Sequence, residues 1–160
     1  MYDNVEGYEI IGESVKSATS IKLGAIFGTD IKRYKEEIQN PENVQYPNFF
    51  IYQVSANITP TTRNRWNIDY LVNIRYRYVE DIETVTTLQQ NLDQMALNLM
   101  AQFTEIQLER PVKVKNARYE KAEGVLQFFF NVTVMIKRQL TEDEKMRILK
   151  LNEELKREDE

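Results

Sequence analysis

Two residue types are missing outright. The chain of 160 residues contains no cysteine and no histidine. Without cysteine there is neither a disulfide nor a thiolate nucleophile, and its absence suits an intracellular and a secreted protein equally. Without histidine there is no imidazole base and no imidazole metal ligand. Any metal would have to be held by oxygen alone. Glycine (5) and proline (4) are scarce, which argues against a low-complexity chain. No apolar run approaches the ~20 residues of a membrane span, so no membrane association is expected. Met1 to Tyr8 is polar and acidic. It lacks a basic segment and an apolar segment, so no signal peptide is expected. Net charge is only −4, and no run of Lys or Arg offers the basic face that duplex binding needs. A phosphate-cradling glycine loop, a nucleophile elbow and metal-ligand spacings are all absent from the sequence. Ser14, Ser17 and Ser20 have no imidazole to activate them. A serine–lysine arrangement stays open, with nothing pointing to it.

What is present is a patterned chain. Hydrophobic residues make up 42%, enough for a core at a length that fits one domain. The strongest pattern is Trp66 to Tyr78. Its even positions, Trp66, Ile68, Tyr70, Val72, Ile74, Tyr76 and Tyr78, are apolar or aromatic. Its odd positions are polar or charged except Leu71. Strand side chains alternate between faces, so this predicts one half-buried strand. At ~3.3 Å per residue it would span roughly 43 Å. A strand of that length bends or projects past its sheet. Its even face is expected to be the floor of the core.

The rest of the chain supplies partners and cover. Residues 8–27 have helical spacing, with Gly28 as a stop, although Gly12 and Gly24 weaken the pattern. Asp30 to Glu36 reads as a short charged edge strand. A loop follows between Pro41 and Pro47. Phe49 to Ile58 alternates, with Phe50, Tyr52, Val54, Ala56 and Ile58 on one face. Residues 59–65 make a polar turn into the central strand, which predicts a long antiparallel hairpin. Ile82, Val85, Leu88, Leu92, Met95, Leu99, Phe103 and Ile106 recur at steps of three and four, an amphipathic helix expected to lie across the even face. Val112 to Glu120 and Val125 to Ile136 read as two further strands around a turn. Thr141 and Glu144 form a capping box. It opens a last helix whose narrow apolar stripe is Ile148, Leu151 and Leu155. The predicted class is α+β, a mostly antiparallel sheet with helices on one face, in the order α-β-β-β-α-β-β-α. Residues 1–140 are expected to form one domain, with 141–160 an appended amphipathic helix.

Candidate chemistry reduces to ordinary structural roles. Asp81 and Glu83, and Glu142 to Glu144, sit at predicted helix starts and favour the helix dipole. Asn73, Arg75 and Arg77 lie on the polar face of the central strand. A solvated face suits them better than phosphate contacts. Arg63, Arg65 and Trp66 mix base and aromatic as single-strand binders do, yet Trp66 also fits the core register. By elimination, a binding or structural protein without catalysis or cofactor is expected.

Several stretches together carry a resemblance. Tyr34-Lys-Glu-Glu-Ile-Gln-Asn40 is followed by Tyr46-Pro-Asn-Phe-Phe-Ile51. Then come the aromatic-rich strand Trp66 to Tyr78, a helix, and a hairpin containing Ala117-Arg-Tyr-Glu120 and Gly124-Val-Leu-Gln-Phe-Phe129. In order and spacing, over about residues 15–138, this resembles tail terminator proteins of phages of Gram-positive bacteria and related prophages. The family also occurs in tail-like bacteriocins. The resemblance implies a homo-oligomeric ring, usually a hexamer, at the head-proximal end of the virion tail, assembled in the host cytoplasm. Such a ring caps the tail tube protein, stops elongation and offers a joining surface to the head-side connector protein. DNA would pass through it without sequence-specific binding. Candidate subunit or tube contacts are then the hairpin tip, Thr59, Thr61, Thr62, Arg63, Asn64 and Arg65, and the last helix, Ile148, Leu151 and Leu155. Asn73, Arg75 and Arg77 become candidates for a lumen or solvent face. The alternative is a small-molecule- or protein-binding α+β domain. A small ligand would need a gap between sheet and helix that the bulky Phe, Tyr and Leu content is expected to fill.

Overall fold

A computed structural model describes residues 5–35, 41–62, 65–79, 87–137, 146–147 and 149–150, with the backbone alone described at residues 5–12, 41 and 137. The elements in chain order are α1 (Val5–Phe27), β1 (Lys32–Tyr34), β2 (Asn48–Thr62), β3 (Arg65–Arg77), α2 (Leu88–Gln102), β4 (Glu105–Gln107), β5 (Pro111–Lys113), β6 (Lys115–Ala122) and β7 (Val125–Lys137). The main sheet runs β1-β2-β3-β7-β6, and β4 and β5 form a small antiparallel pair. The protein is α+β, mostly antiparallel, in the order that the sequence predicts. The exception to the antiparallel pattern is β1, which runs parallel to β2 from Lys32 opposite Asn48 to Tyr34 opposite Phe50.

The contacts divide the chain into two compact units. The first comprises Met1–Asn57 and Asp69–Val134. Its core is the even face of β3, as alternation requires: Tyr70, Val72, Ile74 and Tyr76 are all buried. Leu126, Phe128, Phe130 and Val132 of β7 share that burial, again at period two. Both helices cover this one face. Phe103, just past the end of α2, sets its ring 6.0 Å from Phe128 and 4.9 Å from Phe130. Phe27, at the end of α1, lies 5.4 Å from Phe49, which in turn lies 5.3 Å from Tyr76. Each such ring removed from water contributes about 1.5–3 kcal/mol, and the tilted and edge-on pairs add to that.

Two glycines in and after α1 have definite uses. Gly24 leaves room for the Arg33 guanidinium, which donates to the Ser20 carbonyl; a side chain at 24 would occupy the same space. Gly28 has φ +76° and its N–H donates to the Gly24 carbonyl at 2.9 Å. It ends the helix where the sequence places the stop.

Three expectations are corrected or left aside. The helix periodicity runs to Ile106, but α2 ends at Gln102 and Ile106 is buried from β4. A three-residue step from Phe103 looks helical whether or not the chain has already turned. The single strand expected at Val112 to Glu120 is two strands. Between them Val114 donates its N–H to the Thr104 carbonyl at 2.9 Å, and Asn116 takes φ +52°. That left-handed residue suits asparagine, and it coincides with a register shift between Lys115 and Arg118 in the β6–β7 ladder. Ile82 and Val85, and the capping box at Thr141 and Glu144, lie outside the described residues.

The second unit comprises Ile58–Ile68 and Met135–Glu160. It holds the far end of the β2–β3 hairpin and the end of β7. Among its described residues Ile68 is buried and Trp66 half-buried, while Ile58, Met146 and Leu149 expose half or more of their surface.

Tyr76 carries a titration consequence. Its hydroxyl donates to Asn91 Oδ1 on α2 at 3.1 Å. Burial, then the neighbouring Tyr78, push its pKa up to about 12. In the unfolded chain the phenol ionises near its ordinary value of ~10. Between those values the native state binds more protons than the unfolded state, so stability falls as pH rises. Thermal melting should therefore drop steadily from about pH 10 to 12. Tyr76→Phe should flatten that part of the profile. An unchanged alkaline slope in the variant would assign it elsewhere.

Candidate functional site: the helix-free sheet face and the β2–β3 hairpin

The helices cover one face of the sheet, so the residues that face the other way are what the first unit offers to partners. On β2 the odd positions Phe49 and Ile51 meet the core. The even positions Phe50 and Tyr52 therefore turn to the opposite face, beside the odd positions of β3. Arg77 lies over the Phe50 ring at 5.8 Å and Arg75 over the Tyr52 ring at 4.8 Å. On β1 the Tyr34 ring sits 5.0 Å from Phe50. On β6 Arg118 covers Phe129 at 4.9 Å, which is the separate cover that the outward Phe129 needs. The face is thus a set of guanidinium groups lying on aromatic rings. Thr133 donates to Asp69 on the same side at 3.3 Å.

Asn73 departs from the expectation of a lumen or solvent position. It is 2% exposed. Arg75 folds back and its Nε donates to Asn73 Oδ1 at 3.2 Å, so the long side chain roofs the short one. Asn73 Nδ2 and Arg77 Nε are both buried without a hydrogen-bond acceptor among the described residues. Arg75 and Arg77 themselves are half-buried. The sequence signal for this arrangement is local: Phe49, Phe50 and Ile51 are consecutive, so β2 begins apolar on both faces.

From Gln53 to Thr62 every residue of β2 is exposed. On β3, by contrast, Tyr70, Val72 and Ile74 are buried, so this exposure belongs to β2. Near its tip Thr61 Oγ1 donates to the Arg65 carbonyl at 3.1 Å. Thr59, Thr61, Thr62 and Arg65 are exposed. Arg63 and Asn64 lie outside the described residues, as do Ile148, Leu151 and Leu155. Among the described residues no group of three or more acidic side chains is placed to hold a metal, and no helix is long and apolar enough to cross a membrane.

The fold and this surface define a small α+β protein with a β2–β3 hairpin and a sheet face that bears arginines stacked on aromatic rings. The family model described as "Phage tail terminator protein" matches residues 14–144. The chain belongs to that family, and so to the structural proteins of the phage tail. No curated protein matches. One solved structure is similar over 82% of this chain and 98% of its own, at 8% identity and a TM-score of 0.32; that likeness is too distant to carry an argument.

Proposed function

We propose that the protein forms a closed ring of six subunits at the head-proximal end of the tail. The ring caps the tail tube, stops its elongation and presents the surface to which the head-side connector binds. Membership of the tail terminator family supports this reading most directly. The ring assembles in the host cytoplasm, lets DNA pass without reading its sequence, and needs neither catalysis nor a cofactor. A single contact repeated head to tail either closes or continues as a filament; a tube with rotational symmetry calls for closure. The hairpin tip, Thr59 to Arg65, is assigned to the tube or subunit contact. Residues 141–160 are assigned as an appended helix used between subunits through Ile148, Leu151 and Leu155. Phage carrying Gly and Ser in place of residues 59–65 should yield folded protein of unchanged melting temperature but at least ~10-fold fewer joined particles. Normal particle yield would remove the tip from the interface.

A further inference from the structure

The two edges of the main sheet are built very differently. At one end, β1 pairs with β2 only from Asn48 to Phe50. Beyond it, no described strand lies on the outer side of β2. Gln53, Val54, Ser55, Ala56 and Asn57 are all exposed, with Val54 at 52%. None of the residues of β2 from Asn48 to Thr62 is charged, in a chain with 29% charged residues. Natural edge strands are blunted by charge, proline, bulges or brevity. Between Gln53 and Asn57 none of these devices is used; Pro60 lies further along. At the other end β6 is the outermost strand. It is exposed and carries Lys115, Arg118, Glu120 and Lys121. Its unbroken ladder with β7 runs from Arg118 to Ala122.

We infer that the Gln53–Asn57 edge of β2 pairs, backbone to backbone, with the Arg118–Ala122 edge of β6 in a second copy of this chain. The segments are five residues each, an ordinary strand length. Their charges decide the partner. Two β6 edges set antiparallel about their centre would bring Glu120 against Glu120, and like charges directly opposite are unfavourable across strands. Two β2 edges would make an isologous pair that closes at two subunits. A charge-free edge accepts the mixed-charge β6 edge, whose Lys121 already pairs with Asp93 on α2, without repulsion. The two edges lie at opposite ends of one sheet, so their contact is heterologous and repeats around a ring. The inference rests on the ring reading and names the contact within it.

Amide hydrogen exchange on the free chain and on the chain assembled on purified tail tubes tests this. On assembly, amides in both 53–57 and 118–122 should slow roughly tenfold or more. Val54→Lys with Ala56→Lys places charge on exposed positions of the edge. This double variant should melt as the wild type does and lose assembly and the protection in both segments. An assembled ring whose 53–57 and 118–122 amides exchange as in the free chain overturns the pairing and leaves the ring reading standing. Protection confined to 53–57 in a dimer overturns it in favour of paired β2 edges. A chain that assembles neither on tubes nor at high concentration overturns the ring reading and the pairing together.

Discussion

Ile74→Asp is expected to leave the protein unfolded. Ile74 is fully buried at the middle of β3, on the face that the helices cover. A carboxylate there would stand between Val72 and Tyr76 along the strand, both buried. Burying an unpaired charged or polar group costs several kcal/mol. The whole stability of a domain is only about 5–15 kcal/mol. The control is one residue away. Arg75→Asp gives up the contact with Tyr52 and the bond to Asn73, worth about 1–2 kcal/mol together, and should remain folded. Circular dichroism melting of the two variants checks the difference. Equal melting temperatures would mean that Ile74 does not carry the core.

That contrast between neighbouring residues is legible in the sequence of the central strand. Alternation at period two is a strong signal when it persists over a dozen residues, and Trp66 to Tyr78 keeps it almost unbroken. The same holds for Leu126 to Val132 on β7. Helix α2 is legible for the same reason at a different period. The β2 register is not, because Phe49, Phe50 and Ile51 satisfy either face. The ring contact between Phe49 and Tyr76 resolves it, and no local pattern contains that contact. Asn73 defeats the sequence pattern because polarity is not the same as exposure. Its burial depends on a neighbour's conformation, Arg75 lying across it, which no single residue encodes. The β4–β5 pair is hidden because Phe103 and Ile106 are buried whether the chain is helix or strand there, and only backbone bonds such as Val114 to Thr104 separate the two.

The functional surface is legible in part. Counting residues leads to the expectation of a projecting hairpin; β2 beyond Tyr52 is exposed, while β3 is buried at Tyr70, Val72 and Ile74. The polar pattern of β3 places its guanidinium groups in solvent; instead those of the open face lie against Phe50, Tyr52 and Phe129. Arginine stacked on a ring loses less freedom when a partner docks than a side chain that moves in water.

The largest functional effect should come from removing the gene altogether. On the proposed function, a tube with no terminator has no stop signal and no joining surface, so both failures should appear in one preparation. The measurement is electron microscopy of particles from the deletion strain, with tail lengths and the fraction of heads bearing tails recorded, and with the wild-type gene restored as the control. The account predicts filled heads and separate tails of abnormal length in the deletion strain, and normal joined particles once the gene is returned. Joined particles with tails of normal length in the deletion strain would contradict it.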